Sequence, residues 1–186
     1  MRRREALALA GLGAAALTSS GRLARAAGEA RLRIGYQKYG TLVLLKERGT
    51  LEKRLAATGY DVTWTEFPAG PQLLEALNVG AIDFGTTGEA PPIFAQAAGA
   101  PLAYVGYEPP APAGEAVIVP SDSPIKEVAE LKGRKVALNK GSNVHYLLVR
   151  ALEAFSLALT DVEPVYLPPA DARAAFERGA VDARVI

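Results

Sequence analysis

From residue 31 onward the chain alternates short β-type runs with stretches of helical spacing, and no other feature constrains its fold as much. Residues 32–36 read as a strand, and 41–57 as a helix interrupted near Gly49 and stopped by Gly59. Residues 62–67 alternate as a second strand, and 71–79 form a short helix with Pro71 at its start and Gly80 past its end. A third strand at 82–85, a helix at 91–98 and a fourth strand at 102–107 follow. Then Pro109, Pro110, Pro112 and Gly114 forbid regular structure across 108–114, which reads as a crossing between two lobes. Beyond it, strands are expected at 116–119, 135–138, 162–166 and from 181 to the last residue. Helices are expected from the Ser123-Pro124 cap to 131, at 142–155 and at 171–178. Strand and helix in alternation mean parallel sheets covered by helices, an α/β protein. The expected division is lobe 1 at 27–107, the crossover at 108–114 and lobe 2 at 115–186.

One local pattern occurs in both halves. Leu77-Asn78-Val79-Gly80-Ala81-Ile82-Asp83 is echoed by Phe176-Glu177-Arg178-Gly179-Ala180-Val181-Asp182. Each ends a helix on glycine and enters a strand through a β-branched residue and an aspartate. Joints of this kind recur throughout α/β folds, so the echo alone does not establish a duplication.

The first 26 residues read as an export signal. Arg2-Arg3-Arg4 gives a basic start, residues 6–17 an apolar run, and Ala24-Arg25-Ala26 the small residues of a cleavage site. The apolar run is shorter than the roughly 20 residues a membrane span needs. The arginine run and the Ala/Gly-rich core resemble a twin-arginine signal, and an ordinary Sec signal with a strong basic start is the alternative. Both routes lead out of the cytoplasm, and the expected product is a soluble periplasmic protein. Removing the segment takes away five arginines and Glu5 and leaves 16 basic against 19 acidic residues. No basic cluster remains to displace counterions from phosphates, which excludes nucleic acid as a partner. The absence of cysteine removes disulfides, thiolate metal sites and the lipid-anchored class.

Open α/β sheets bind ligands beyond the carboxyl ends of their strands, where loops lead into helix starts. Two loops fit: Gly85-Thr86-Thr87-Gly88-Glu89 in the first lobe and Asn139-Lys140-Gly141-Ser142-Asn143 in the second. Glycine lets the backbone come close, and free N–H groups and the helix dipole favour negative charge. The complementary ligand is a small oxyanion, to which Lys140 could add one charge-assisted bond. Taken singly, each loop is also an ordinary turn with an N-cap. Glu89 argues against an anion unless it caps its own helix, pairs with Lys140 or Lys38, or bonds through water. Gln37, just past the first strand, is a neutral donor in a cleft position, and His145 lies on the first turn of the following helix. Tyr36, Tyr39, Tyr104 and Tyr107 sit at strand ends and could wall a cleft. No Walker loop, nucleophile-elbow serine or cysteine is present, and a lone histidine makes no metal site, so neither an enzyme nor a cofactor is expected.

Several longer stretches resemble the periplasmic aliphatic sulfonate-binding proteins of ABC importers. They are Ile34-Gly35-Tyr36-Gln37-Lys38, residues 66–77 from Glu66-Phe67-Pro68-Ala69, residues 91–100 from Pro91-Pro92-Ile93-Phe94, Ser123-Pro124-Ile125-Lys126, Leu131-Lys132-Gly133-Arg134-Lys135-Val136-Ala137 and residues 169–176 from Pro169-Ala170-Asp171. The resemblance implies a type II periplasmic binding protein, two α/β lobes closing on ligand, here with an incomplete second lobe. It implies a monomer that delivers a sulfonate to a membrane permease for sulfur supply. By position Gln37, Thr87, Gly88 and Glu89 would line the cleft from one lobe, and Gly141, Ser142, Asn143 and His145 from the other. Taurine, nitrate or a thiamine precursor is the alternative cargo within the class, and a cytoplasmic lyase on the same fold is the distant one. The chain departs from the family at Arg184, where relatives carry an aromatic in the last strand, and it stops at Ile186 before an acidic and aromatic segment.

Overall fold

The computed structural model describes residues 30–186, so the expected export signal lies outside the described residues. Strand β1 (Ala30–Tyr36) is the centre of a three-stranded parallel sheet ordered β2-β1-β3. Its neighbours are β2 (Tyr60–Glu66), in register from Ala30 opposite Tyr60 to Tyr36 opposite Glu66, and the short β3 (Phe84–Gly85). Helices α1 (Thr41–Arg48) and α2 (Thr50–Ala56) are parted by Gly49, whose φ of 56° few other residues would adopt. Helix α3 (Gly70–Asn78) packs on the sheet through Leu73 and Leu74, joined in the core by Ile82 and Phe67. Leu73 can lie against the strands because Gly35 and Gly85 face each other across the β1–β3 ladder. A Cβ on Gly85 would stand 2.8 Å from Leu73 Cδ2. Helix α4 (Ala90–Ala97) follows β3 and packs on α3.

The second sheet has four strands in the order β4-β7-β5-β6. Strands β5 (Lys135–Leu138), β6 (Glu163–Tyr166) and β7 (Ala183–Val185) are parallel, and β4 (Val117–Ile118) runs antiparallel to β7 at the edge. The alternation along β5 sends Val136 and Leu138 to one face and Ala137 to the other. Val136 and Leu138 meet Leu148 and Leu152 of α5 (Asn143–Ala154). Ala137 meets Ala172 and Ala175 of α6 (Pro169–Glu177). Both faces of this sheet are therefore covered, as parallel sheets require.

The two glycine–aspartate joints adopt one geometry. Gly80 and Gly179 have φ of 68° and 69°. The next amide reaches back to a helix carbonyl in each, Ala81 N–H to Ala76 O at 2.8 Å and Ala180 N–H to Ala175 O at 2.9 Å. Asp83 and Asp182 then accept the amides of Arg33 and Lys135, each at 2.8 Å. The sequence echo is thus a repeated way of clamping a helix end to the strand beside it.

Three expectations fail. Residues 102–107 form no strand: the segment has no ladder partner among the described residues, and Val105 and Tyr107 are 79% and 91% exposed. The helix expected from Ser123 shrinks to a 3₁₀ turn at Val128–Leu131. There the Ser123 hydroxyl accepts the Ile125 amide at 3.2 Å, and Glu130 accepts those of Lys126 and Glu127 at 2.5 and 3.2 Å, so side chains take the amides a helix would use. The crossover is not wholly irregular, because Pro112–Gly114 makes one 3₁₀ turn closed by Gly114 N–H on Ala111 O at 2.8 Å.

Candidate functional site

Parallel strands carry all their outgoing loops on one edge, and in each sheet those loops run into helix starts. The starts of α3, α4 and α5 have no side-chain cap, so their first-turn amides and the positive ends of their dipoles are not neutralised locally. Helices α4 and α5, one from each sheet, are in contact. Gly88, ahead of α4, lies so close to Asn143 that a Cβ on it would stand 2.8 Å from Asn143 Cγ and 2.9 Å from Asn143 Cβ. Gly141, ahead of α5, faces Pro71 at the start of α3, 4.0 Å from where its Cβ would be. The two glycine-containing loops therefore share one interface.

The eight residues singled out above take different positions. Gln37 is buried, and its Nε2 donates to Thr86 O at 3.1 Å and to Tyr39 Oη at 3.3 Å, tying the β1 loop to the β3 loop. Thr87 Oγ1 is buried without a partner among the described residues and rests on Gly70, where any Cβ would overlap it. Glu89 is exposed and precedes α4 with helical torsions, φ −70° and ψ −33°, without capping it. Neither ion pair considered for Glu89 forms, because Lys38 Nζ lies 3.1 Å from Glu66 and Lys140 Nζ sits 5.3 Å above the Tyr166 ring. Lys140 is also thereby placed on an aromatic face rather than on the α5 start. Ser142 is buried and turns its hydroxyl back to Asn139 O at 2.7 Å, away from the amides of α5. Asn143 donates from Nδ2 to Glu115 Oε1. His145 accepts the Gly141 amide on Nδ1 at 3.2 Å and meets Tyr166 edge-on with ring centroids 5.8 Å apart. Burial, and secondarily Lys140, push the His145 imidazole below its ordinary pKa.

Sequence reasoning missed Gly70, Pro71, Glu108 and Glu115. A third glycine-bearing helix start, Gly70-Pro71, was visible in the sequence and could have been added to the other two. The glutamates flank the proline run and carry no local signal. Glu108 accepts the Thr41 hydroxyl at 2.6 Å. With Glu115 and Glu89 it lies near enough to Tyr39 to push that phenol up, after the larger effect of burying its hydroxyl end and against the Gln37 bond. The assembled groups are neutral donors around helix starts, with carboxylates already engaged or facing water. Among the described residues no group of three or more His, Cys, Asp or Glu is placed to hold a metal ion.

A family model described as NMT1/THI5 like matches residues 55–186, well over half the chain. The chain belongs to the NMT1/THI5-like family. The structure of the alkanesulfonate-binding protein SsuA from Xanthomonas axonopodis pv. citri bound to MOPS is similar to this NMT1/THI5-like chain with a TM-score of 0.81 and 56% identity. The match covers 84% of this chain and 54% of that one. The periplasmic aliphatic sulphonate binding protein SsuA from Escherichia coli follows with a TM-score of 0.71, 59% identity and the same coverage. A curated relative from Escherichia coli (strain K12), provisionally named an aliphatic sulfonates-binding protein, is 60% identical over 156 residues, 83% of this chain and 48% of the relative. The chain thus spans about half the length of the relatives it matches, and over that part its fold is that of a type II periplasmic binding protein.

Proposed function

We propose that this NMT1/THI5-like chain belongs to an extracytoplasmic solute-binding protein that captures aliphatic sulfonates and passes them to an ABC permease in the inner membrane. The observation that carries the reading is the contact of Gly88 with Asn143, which brings uncapped helix starts from two separate sheets to one place. A sulfonate offers three acceptor oxygens and no proton near neutral pH, so it suits N–H and O–H donors at helix starts. Gln37, Thr87, Gly88 and Glu89 on one side and Gly141, Ser142, Asn143 and His145 on the other are the residues we assign to the cleft. The relatives above, named for sulfonate binding at 56% and 59% identity, support the cargo class. The protein acts as a monomer and catalyses no reaction in this reading, because capture and release need only closure and opening of the lobes.

Taurine is the second reading, favoured by Glu89, Glu108 and Glu115 around Tyr39, which would suit an ammonium group at the far end of the cargo. A taurine-binding periplasmic protein from Escherichia coli (strain K12) is 29% identical over 125 residues. Titration calorimetry of the protein against propanesulfonate, taurine and nitrate separates the cases. Heat with propanesulfonate at least as tight as with taurine is the expected result. Tight nitrate binding with no sulfonate signal would overturn it.

A further inference from the structure

We infer that His145 is held as a neutral imidazole with its proton on Nε2, and that this Nε2–H is a donor kept for an oxygen of the bound anion. The second half rests on the sulfonate-binding reading above; the first half stands on geometry alone.

The Gly141 amide points at Nδ1 from 3.2 Å. An N–H can be accepted only by a ring nitrogen that carries no proton, so a neutral ring must hold its proton on Nε2. The amide is aimed by the turn at Gly141, whose φ of 75° other residues adopt only with strain. Nε2 is shut away from solvent and has no partner among the described residues. A buried donor left unpaired is unfavourable, and a ligand that supplies an acceptor recovers the loss. Thr87 Oγ1 is likewise buried and without a partner among the described residues, packed on Gly70 within the other lobe.

Burial comes first against a second proton, Lys140 adds a positive charge nearby over the Tyr166 ring, and the Gly141 amide would confront a protonated Nδ1 donor to donor. Among the described residues no carboxylate bonds to the ring to stabilise a cation. Recognition at this position is therefore by a neutral donor, which donates to an unprotonated oxygen and rejects an ammonium. Capture of a sulfonate should then take up no proton.

The chain contains a single histidine, so ¹⁵N-histidine labelling yields one imidazole spectrum. The expected spectrum shows Nδ1 unprotonated and Nε2 protonated, and added propanesulfonate moves the Nε2–H proton downfield while Nδ1 stays bare. Calorimetry at about pH 7.5 in two buffers of different ionisation enthalpy should give equal heats. His145→Phe keeps a ring against Tyr166 and removes both nitrogens, and it should weaken propanesulfonate binding about 10- to 100-fold. His145→Gln, which returns an amide donor at the side-chain end, should recover most of that loss. If His145→Phe fails to fold, the labelling and proton-uptake measurements on the unaltered protein decide. An imidazolium in the complex, proton uptake on binding, or sulfonate binding with an unmoved Nε2–H signal overturns this inference alone. No heat with any sulfonate in the unaltered protein overturns the function and, with it, the ligand half of the inference.

Discussion

Gly88→Ala tests whether the lobe contact is what the ligand closes on. The added methyl would stand 2.8 Å from Asn143 Cγ and Oδ1 and 2.9 Å from Asn143 Cβ. Carbon atoms rest at about 3.5–4.0 Å, so relief requires a separation of about 0.7 Å. A new rotamer of Asn143 moves Cγ and Oδ1 but leaves Cβ in place, so the backbones of the two loops must part. Overpacking of this kind costs about 1–3 kcal/mol. Because Gly88 and Asn143 belong to different sheets joined through an irregular segment, the cost falls on closure rather than on either core. The dissociation constant for propanesulfonate should rise about 10- to 100-fold, read by calorimetry. The melting temperature of the free protein should stay within about 2 °C of the parent. An unchanged dissociation constant would show that the two loops do not hold the ligand jointly. A lower melting temperature would show that the contact is part of the fold instead.

Gly70→Ala places its methyl inside one lobe, overlapping Thr87 Oγ1 and 2.8 Å from Pro91 Cγ, so it should lower folding stability by about 1–3 kcal/mol in urea; no loss would mean α3 and α4 can slide apart freely. Arg184 is buried in β7 with its Nε unpartnered among the described residues, Nη2 on Pro169 O at 3.3 Å, and burial first and Arg173 second pressing its pKa down. Arg184→Leu should therefore stabilise the protein by about 1–2 kcal/mol, and a lower melting temperature would refute that. Asp83 is held at about 2 by hydrogen bonds from the Arg33 side chain and amide. A carboxylate with a depressed pKa stabilises the fold above the unfolded-state value and loses that contribution as pH falls from about 4 towards about 2. Its side chain is 36% exposed, so Asp83→Asn should cost only about 1 kcal/mol at pH 7, with the difference vanishing near pH 2; a pH-independent difference would contradict the assignment.

The sequence was most readable where local chemistry and long-range packing agree. Gly49 interrupts the first helical stretch because its left-handed φ ends one helix and begins the next, and Gly80 and Gly179 end their helices for the same reason. The buried alternation of β5 was legible because a strand covered on both faces writes an apolar run. Residues 102–107 have equally strand-like composition and failed, since composition states only what a strand would tolerate, while a ladder needs a neighbour. The turn at Ser123 failed for the opposite reason: Ser123 and Glu130 act on amides a few residues away, and both a helix cap and a competing turn use those residue types. In the site, glycines at helix starts were visible as letters. Which glycine touches which helix was not, because the Gly88–Asn143 contact joins residues 55 positions apart.

The distribution of charge around the interface leads to a last prediction. An anion site built on lysine or arginine would draw much of its strength from a formal cation. Here Lys38 is paired with Glu66 and Lys140 lies over Tyr166, so neither reaches the helix starts. The nearby carboxylates are tempered differently: Glu108 accepts the Thr41 hydroxyl, Glu115 accepts Asn143, and Glu89 faces water. Neutral amides and partial dipole charges act over short range, where mobile ions cannot intervene, whereas the carboxylates act on an approaching anion through water and are screened. Raising the ionic strength from about 0.05 M to about 0.5 M shortens the screening length from roughly 14 Å to roughly 4 Å. It should therefore leave propanesulfonate affinity unchanged or slightly improved. A tenfold or greater weakening over that range would place a formal cation against the sulfonate, and the account of this site as a meeting of uncapped helix starts would have to be replaced by one in which Lys140 leaves Tyr166 to bind the ligand.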